Sequence, residues 1–342
     1  MPFNKKCERG KEFNMSTLNL VTKYAKNMVE KFRATSIVAG KTSEEFDFIG
    51  AETIKVMTPV VADLVDYSRT GINRYGNTVE IGDTVQEMKV TQDKGFSASI
   101  DKGNALQQDN VKTPGKMLRE IIETKIVPMT DKRALQRYAL LAGKVAAVAA
   151  PTKSTIVEML MDAEVAFNEA GVPYENRYCV IRPDVYKLVR LAPEFTGTND
   201  LANKAVEKGV IGQVGTLKII QASMSRLPEN CYFLCWQKKS VILPFQINDA
   251  KYNNAPQGIS GVLLEGRVVY DAFVIGTLSA GVYAAVASVA KVAKPVMTAG
   301  GNTVTVTCAT AGATVFYTLD GSDPRYSPDA KVYTGAVTLT EG

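Results

Sequence analysis

The side chains best suited to chemistry are five cysteines, a run of glycines, two aspartates beside a serine, and four carboxylates on one predicted helix. The spacing of each group limits what it can do. Cys7, Cys179, Cys231, Cys235 and Cys308 are scattered and odd in number, which fits a reducing compartment better than a disulfide framework. Cys231 and Cys235 lie in CYFLCW, an expected strand. Four extended residues hold them about 13 Å apart, beyond disulfide reach, so buried free thiols are expected. Gly209, Gly212 and Gly215 follow G-x-x-G-x-x-G with no Lys-Ser/Thr after them and no βαβ unit before them, so they read as turn glycines and not a phosphate loop. Asp320, Ser322 and Asp323 place oxygens at alternate positions, as a hard cation needs. The later bidentate Glu is missing, and Asp-Gly with Asp-Pro makes a strand connection. Glu158, Asp162, Glu164 and Glu169 suggest the paired carboxylates of a glycosidase. One Trp in 342 residues leaves little to stack a sugar on, and a solvated helix face is the preferred reading. There is no histidine at all, which removes Ser-His-Asp and Cys-His nucleophiles, imidazole acid-base chemistry and most catalytic zinc sites. The expectation is a protein that is not an enzyme, with no catalytic residues, no metal ligands and no cofactor.

The elements that would carry these groups follow from composition and periodicity. With 46% hydrophobic residues the chain can build a large core and a smaller appendage. No stretch approaches the roughly 20 apolar residues of a membrane span. MPFNKKCERGKEFN lacks the apolar segment of a secretory signal, so an intracellular location is expected. Met15 is a second candidate start. Net charge is +5, with basic residues gathered at Lys5, Lys6, Arg9, Lys11, Lys23, Lys26, Lys31 and Arg33. Such an arm either rests against phosphate or forms a solvated tail and helix face.

Leu20, Tyr24, Met28 and Phe32 line one face of a helix over 17 to 34. Residues 53 to 67 read as a strand. TVEIGDTVQEMKVTQ and GFSASID are alternating runs joined by a short DK turn, predicting one long hairpin, polar on both faces, that must lie on its own domain or on a neighbour. Residues 113 to 150 are helical in period, with Pro128 expected to break or kink the run. Pro151 closes it, and a second helix starts at Ser154 or Thr155 with Glu158 at capping-box distance and Gly171 as C-cap. Then come strand RYCVIR, helix PDVYKLVRL, helix NDLANKAVEKG, strands GTLKIIQA, CYFLCW and SVILPFQI, and a strand pair through GVLLEGRVVYDAFVIG. Together these make an α+β domain. Residues 276 to 293 read as a small-residue closing segment and linker. From Lys294 the chain turns to Thr, Gly and Val in strict alternation, a separate all-β module. Val304, Val306, Val315, Tyr317, Val332, Val337 and Leu339 are expected to point to one side and bury an apolar face of their own. The pattern stops within a strand at Glu341-Gly342, so a final strand is expected to be missing.

The order of arm helix, polar hairpin, long helix and α+β domain, with AGVPYENRYCVIRPDVYKLV, GVIGQVGTLKIIQASMSRLP and LEGRVVYDAFV, resembles the tailed-bacteriophage major capsid proteins of the Hong Kong 97-like fold over residues 17 to 287. GVP-x-x-x-R-x-C-V-I-x-P and IG-x-x-G-T-L are the most telling segments. The resemblance implies an N-terminal arm at 1 to 50 and a capsid domain at 51 to 293. Within that domain it implies an extended loop at 76 to 108, a spine helix at 113 to 150, and the axial domain with returning peripheral strands at 154 to 275. KPVMTAGGNTVTVTC, GATVFYTLDGSDPRYSP and YTGAVTLT resemble the immunoglobulin-like domain at the C-terminus of chitobiases and hexosaminidases. That implies a surface domain at 294 to 342, an accessory for display or weak carbohydrate or host-surface contact.

What the resemblance implies for function is a structural subunit of an icosahedral shell, self-assembling into hexamers and pentamers around double-stranded DNA. It would be found in the virion after assembly in the host cytoplasm. Its partners would be its own copies, packaged DNA bound non-specifically, the portal, and scaffolding or decoration proteins, with no membrane. Glu80, Asp83, Glu87, Lys89 and Lys94 would make inter-subunit contacts in the extended loop. Lys5, Lys6, Arg9 and Lys11 would face DNA, joined by Lys112, Lys116 and Arg119. The alternatives are an encapsulin-like compartment shell and, from residues 294 to 342 alone, a carbohydrate-binding or carbohydrate-active surface protein.

Overall fold

The computed structural model describes residues 36–46, 53–59, 64–70, 74–75, 80, 83–102, 114–192, 210–254, 258, 260–288, 291–321, 323–327 and 329–338. The expected helices at 17 to 34 and in NDLANKAVEKG lie outside the described residues.

Strand β8 (Cys231–Gln237) explains the centre of the molecule. Cys231, Leu234 and Trp236 belong to one buried cluster and Phe233 and Cys235 to another. A strand apolar on both faces has to be covered on both. It lies inside a mixed six-stranded sheet ordered β4-β13-β8-β5-β7-β6, with β4 Lys144–Val148, β5 Arg177–Ile181, β6 Val210–Val214, β7 Leu217–Gln221 and β13 Val282–Ala287. Helix α2 (Val127–Leu140) covers one face with Ala134, Leu135 and Tyr138. Tyr138 and Tyr178 flank Trp236 at ring distances of 6.0 and 6.3 Å. Helices α3 (Ile156–Glu169) and α4 (Pro183–Arg190) cover the other with Ile156, Leu160, Phe167, Val185 and Val189.

Two expectations fail here for identifiable reasons. The helical run does not extend to 150: it ends at Leu140, and KVAAV is β4, parallel to β13. Residues 276–293 are not a linker throughout. After a 3-10 turn at Gly276–Gly281 they supply β13, seated between β4 and β8. Small residues are needed there because Ala284 and Ala285 are buried against both helical layers. Pro128, expected to break or kink the run, does not end it, but the regular α-helix is interrupted just before it. Helix α1 (Pro114–Ile121) runs into a π turn at Ile122–Ile126 and then into α2. The wider turn opens the hydrogen-bond ladder just where proline has no N–H to give.

Around α3, Thr155 occupies the N-cap but its side chain accepts from the N–H of Thr152 (3.0 Å), so the expected capping box with Glu158 is not formed. Its C-terminus closes as expected. Gly171 takes φ +66, its N–H donates to Asn168 O, and the N–H of Val172 reaches Phe167 O, a left-handed cap that glycine adopts without strain. The arginine of the GVP-x-x-x-R segment fastens this corner. Arg177 is fully buried, donates to Pro173 O, Val172 O, Asn168 Oδ1 and Thr216 Oγ1, and stacks on Phe167 and Tyr174.

The expected hairpin of GDTVQEMKVTQ with GFSASID is absent, because the two runs pair with different partners. Strand β2 (Asp83–Lys89) pairs antiparallel with β1 (Thr53–Pro59). Strand β3 (Gln92–Asp101) joins a three-stranded sheet with β10 (Phe245–Asn254) and β11 (Gly261–Tyr270). The DK pair therefore lies within β3 and makes no turn. That sheet packs Phe96, Val268 and Tyr270 on Ile121, Ile122 and Ile126 of the helix, with Phe96 lying where a side chain at Gly266 would be. Short strands β9 (Val241–Ile242) and β12 (Phe273–Val274) pair between the two sheets.

The C-terminal module forms a sheet of β14 (Val296–Gly300), β15 (Thr303–Thr307) and β18 (Val337–Thr338), beside the pair β16 (Phe316–Tyr317) and β17 (Lys331–Val332). It does not bury an apolar face of its own to the depth expected. Val304, Val306, Val315, Tyr317 and Val337 are half-buried, Val332 is exposed, and Leu339 lies outside the described residues. Strands of two residues leave too little surface to enclose a core.

Candidate functional site

The β1–β2 ribbon projects its two faces into different surroundings. Inward, Val56 and Met88 are buried with Ile242, Phe273 and Ile275. Outward, Met57 and Val85 sit directly opposite one another and are exposed. Farther along, Leu64 is 103% and Tyr75 is 83% exposed, with Val65 and Tyr67 also exposed. Tyr67 and Tyr75 meet edge to face at 5.0 Å, and the N–H of Ser68 donates to Arg74 O at 2.9 Å. Exposed apolar side chains set side by side, Met57 with Val85 and Tyr67 with Tyr75, are of the kind that interaction surfaces present.

The root of the ribbon is held by polar groups. Gln86 donates from Nε2 to Val274 O (2.9 Å) and accepts at Oε1 from the N–H of Gly276 (2.7 Å). Between β2 and β3 the chain turns at Val90 and Thr91. Asp271, 1% exposed, takes the Thr91 N–H (3.0 Å), the Thr91 hydroxyl (2.7 Å), Arg133 Nε from α2 (3.1 Å) and the N–H of Ala272 (2.9 Å). Burial pushes this carboxyl up, but the bonds from Thr91, Arg133 and Ala272 outweigh it and hold it below the ordinary carboxylate range. A second buried carboxylate, Asp131 on α2, accepts from Ser36 Oγ (2.7 Å), the N–H of Ile37 (2.9 Å) and Arg226 Nη1 (3.0 Å). There burial dominates over those bonds and raises the pKa. The two nodes tie the N-terminal segment, the ribbon corner and the loop before β8 to one helix.

Of the expected inter-subunit residues, Glu80, Asp83, Glu87 and Lys89 lie on or beside the ribbon and are exposed, with Glu87 3.8 Å from Lys55. Lys94 is apart from them, on β3 opposite Val268. Lys5, Lys6, Arg9, Lys11 and Lys112 lie outside the described residues, while Lys116 and Arg119 are exposed on α1. The polar alternation drew attention to the charges. Met57 and Leu64 belong to the run TIKVMTPVVADLVDY, which has the pattern of an ordinary strand, and Val85 and Tyr75 stand singly among polar residues, so none of the four carries a signal of exposure.

The groups first considered for chemistry are otherwise engaged. Glu158, Asp162 and Glu169 are spread over the exposed face of α3, whereas Glu164 accepts the N–H of Thr216 at 3.1 Å. Gly215 takes φ +56 in the turn that Glu164 closes, and Gly212 lies at a bulge in β6. Gly209 is outside the described residues. Cys179, Cys231 and Cys235 are buried and free, and burial pushes the Cys231 thiol up to about 12. Asp323 is committed to Arg325. Among the described residues no cluster of acidic or cysteine side chains could hold a metal ion.

Comparisons with known proteins bear on what this arrangement is. A search of curated proteins finds no match. A structure of Mycobacterium phage Che8 superposes with TM-score 0.60 at 16% identity, covering 79% of this chain and 98% of that one. The capsid structure of cyanophage P-SCSP1u gives TM-score 0.60 at 12% identity over 78% and 92%. The capsid of Myoviridae phage XM1 gives 0.55 at 10% over 78% and 96%. This chain has the Hong Kong 97-like phage capsid fold. At the C-terminus, residues 296–342 match the chitobiase/beta-hexosaminidase C-terminal domain family, so the capsid fold carries a small immunoglobulin-like domain.

Proposed function

We propose that the chain is the shell subunit of an icosahedral phage capsid, assembling into hexamers and pentamers that enclose double-stranded DNA. The observation that carries this is the ribbon: firmly rooted through Gln86 and Thr91, yet with exposed Leu64, Tyr67 and Tyr75 in the segment that joins its two strands. A two-stranded ribbon is marginal alone, and in a symmetric assembly every copy supplies the same cover for its neighbour. Exposed Glu80, Asp83, Glu87 and Lys89 would form the polar, salt-sensitive rim of that contact. On this reading the role is structural and non-enzymatic and the chain resides in the virion. Its partners are its own copies, non-specifically bound DNA through Lys5, Lys6, Arg9 and Lys11, and portal and scaffolding or decoration proteins. The C-terminal domain faces outward: Asp320, Asp323, Asp329 and Glu341 against Lys294, Arg325 and Lys331 suit an exterior better than a wall against DNA.

The test is expression of the full chain followed by sedimentation and electron microscopy. Closed shells are expected, with pairwise contacts above roughly 2,000 Å². A monodisperse monomer at high concentration refutes the reading. An encapsulin-like compartment would also form shells, and protein cargo in place of nucleic acid inside them identifies it. A carbohydrate-binding or carbohydrate-active protein draws on residues 294 to 342 alone, and Glu164 of α3, which accepts the Thr216 N–H, lends it nothing.

A further inference from the structure

Three separate parts of the chain converge on residues 274–279. From the ribbon, Gln86 bonds Val274 and Gly276, and the Thr58 hydroxyl lies 3.5 Å from that of Thr277. From the end of α2, the N–H of Gly143 donates to Ser279 O at 3.1 Å, in a contact so close that a Cβ on Gly143 would stand 2.3 Å from that oxygen. From the C-terminal domain, the ring of Tyr326 lies over Gly276, where an added Cβ would come within 3.0 Å of it. The Tyr326 hydroxyl donates to Leu141 O at 2.6 Å, and Arg325 Nη1 donates to Ala142 O at 3.0 Å.

Those last two acceptors are significant. Leu141 caps α2 and Ala142 follows it, so both carbonyls lie just past the helix, at the negative end of its dipole. Here a cation and a phenol from another domain satisfy them. The turn that presents them is prepared for the task. The Asp323 carboxylate takes the Arg325 N–H (2.9 Å) and its Nη2 (2.7 Å), while the Asp323 carbonyl takes the N–H groups of Tyr326 and Ser327. The Arg325 guanidinium stands 5.2 Å over the Tyr326 ring. Tyr326 also packs on the larger core cluster, whereas no described residue of its own domain is buried. A cavity of about 210 Å³ separates the ribbon from this turn, walled by Thr58, Val85 and Gln86 on one side and Asp323, Tyr326 and Ser327 on the other.

We propose that the Asp323–Ser327 turn is a clamp in cis: seated on residues 274–279, it fixes the β1–β2 ribbon against the C-terminal end of α2 and so sets the direction in which the ribbon leaves the subunit. The proposal concerns the single chain and holds whether or not the chain builds a shell. It gives the C-terminal domain a mechanical task beyond display.

Hydrogen–deuterium exchange on the full chain tests it, comparing wild type with the double variant Arg325→Ala/Tyr326→Ala and with Tyr333→Phe. The last loses a bond inside the domain, the hydroxyl that accepts from Val306 N, and leaves the clamp alone. In the double variant the amides of β1, β2 and Gly276–Gly281 should exchange about tenfold faster, the factor that roughly 1.4 kcal/mol represents, while β5 and β8 are unchanged. Loss of protection across β14 and β15 as well would leave the test intact, since an unfolded domain cannot clamp and the ribbon must still loosen. Ribbon protection equal to wild type in the double variant overturns the proposal. Equal loosening by Tyr333→Phe while β14 and β15 keep their protection also overturns it, because the clamp is then intact and the effect belongs to the domain at large.

Discussion

Replacing Asp271 by alanine removes the acceptor on which the corner between β2 and β3 is built. The substitution strands the N–H groups of Thr91 and Ala272, the Thr91 hydroxyl and the Arg133 guanidinium. Losing one partner of a buried pair costs about 3–5 kcal/mol. The Arg133 side chain is 30% exposed and rehydrates in part, so the lower end, about 3 kcal/mol, is expected. Asp271→Asn keeps the shape and one acceptor oxygen and should cost about half of that. The pH dependence has a definite sign. A carboxyl held below its ordinary value contributes stability that is present above the unfolded pKa and lost as pH falls through the folded one. The gap between wild type and Asp271→Asn should therefore be constant near neutrality and close below about pH 4. Asp131, whose pKa burial raises, behaves oppositely. Its protonated form is favoured by folding, so wild type should gain on Asp131→Asn as pH falls toward the ordinary carboxylate value. Thermal unfolding of dissociated subunits across pH measures both. If the Asp271→Asn gap widened on acidification, or vanished at pH 7, the reasoning about this corner would be wrong.

Met57→Lys with Val85→Glu should leave subunit stability within about 0.5 kcal/mol, since both residues are exposed and opposite charges face each other across the strands, yet prevent shells from forming in sedimentation assays. Gly215→Ala should destabilise by at least ~1 kcal/mol, because the residue has φ +56 and its Cβ would run into the Glu164 carboxylate; denaturant titration reads this. Alkylation of the native protein followed by mass spectrometry should label half-exposed Cys308 and spare buried Cys179, Cys231 and Cys235.

Segments whose pattern arises from burial were legible from sequence. CYFLCW is apolar on both faces and is a sheet-centre strand, and Gly171 ends its helix because only the left-handed conformation fits there. What stayed hidden depends on partners far along the chain. KVAAV continues a helical period as well as it makes a strand, and only pairing with Val282–Ala287 decides between them. GVYAAVA looks like a linker because its residues are small, although the same smallness lets two helical layers approach the sheet. The runs on either side of Val90 and Thr91 alternate alike, and nothing local says that one pairs with residues 53–59 and the other with residues 261–270. The site was half visible, through its charges and not through Met57, Val85 or the Asp271 corner.

The position of β13 has a consequence for synthesis. It is the last strand of the large sheet to emerge from the ribosome, yet it lies inside that sheet, and among the described residues β4, made much earlier, pairs with it alone. Until Val282–Ala287 have emerged, β4 has no ladder and Trp236 lacks part of its packing. Contacts this distant in sequence form slowly, and a nascent chain that lacks them exposes an unpaired strand edge to its neighbours on a crowded polysome. Translation therefore finishes the capsid domain nearly all at once, just before the C-terminal domain appears. Ribosome-stalled chains ending at residue 275 should be protease-sensitive throughout the sheet, and those ending beyond residue 320, with the exit tunnel cleared, should resist.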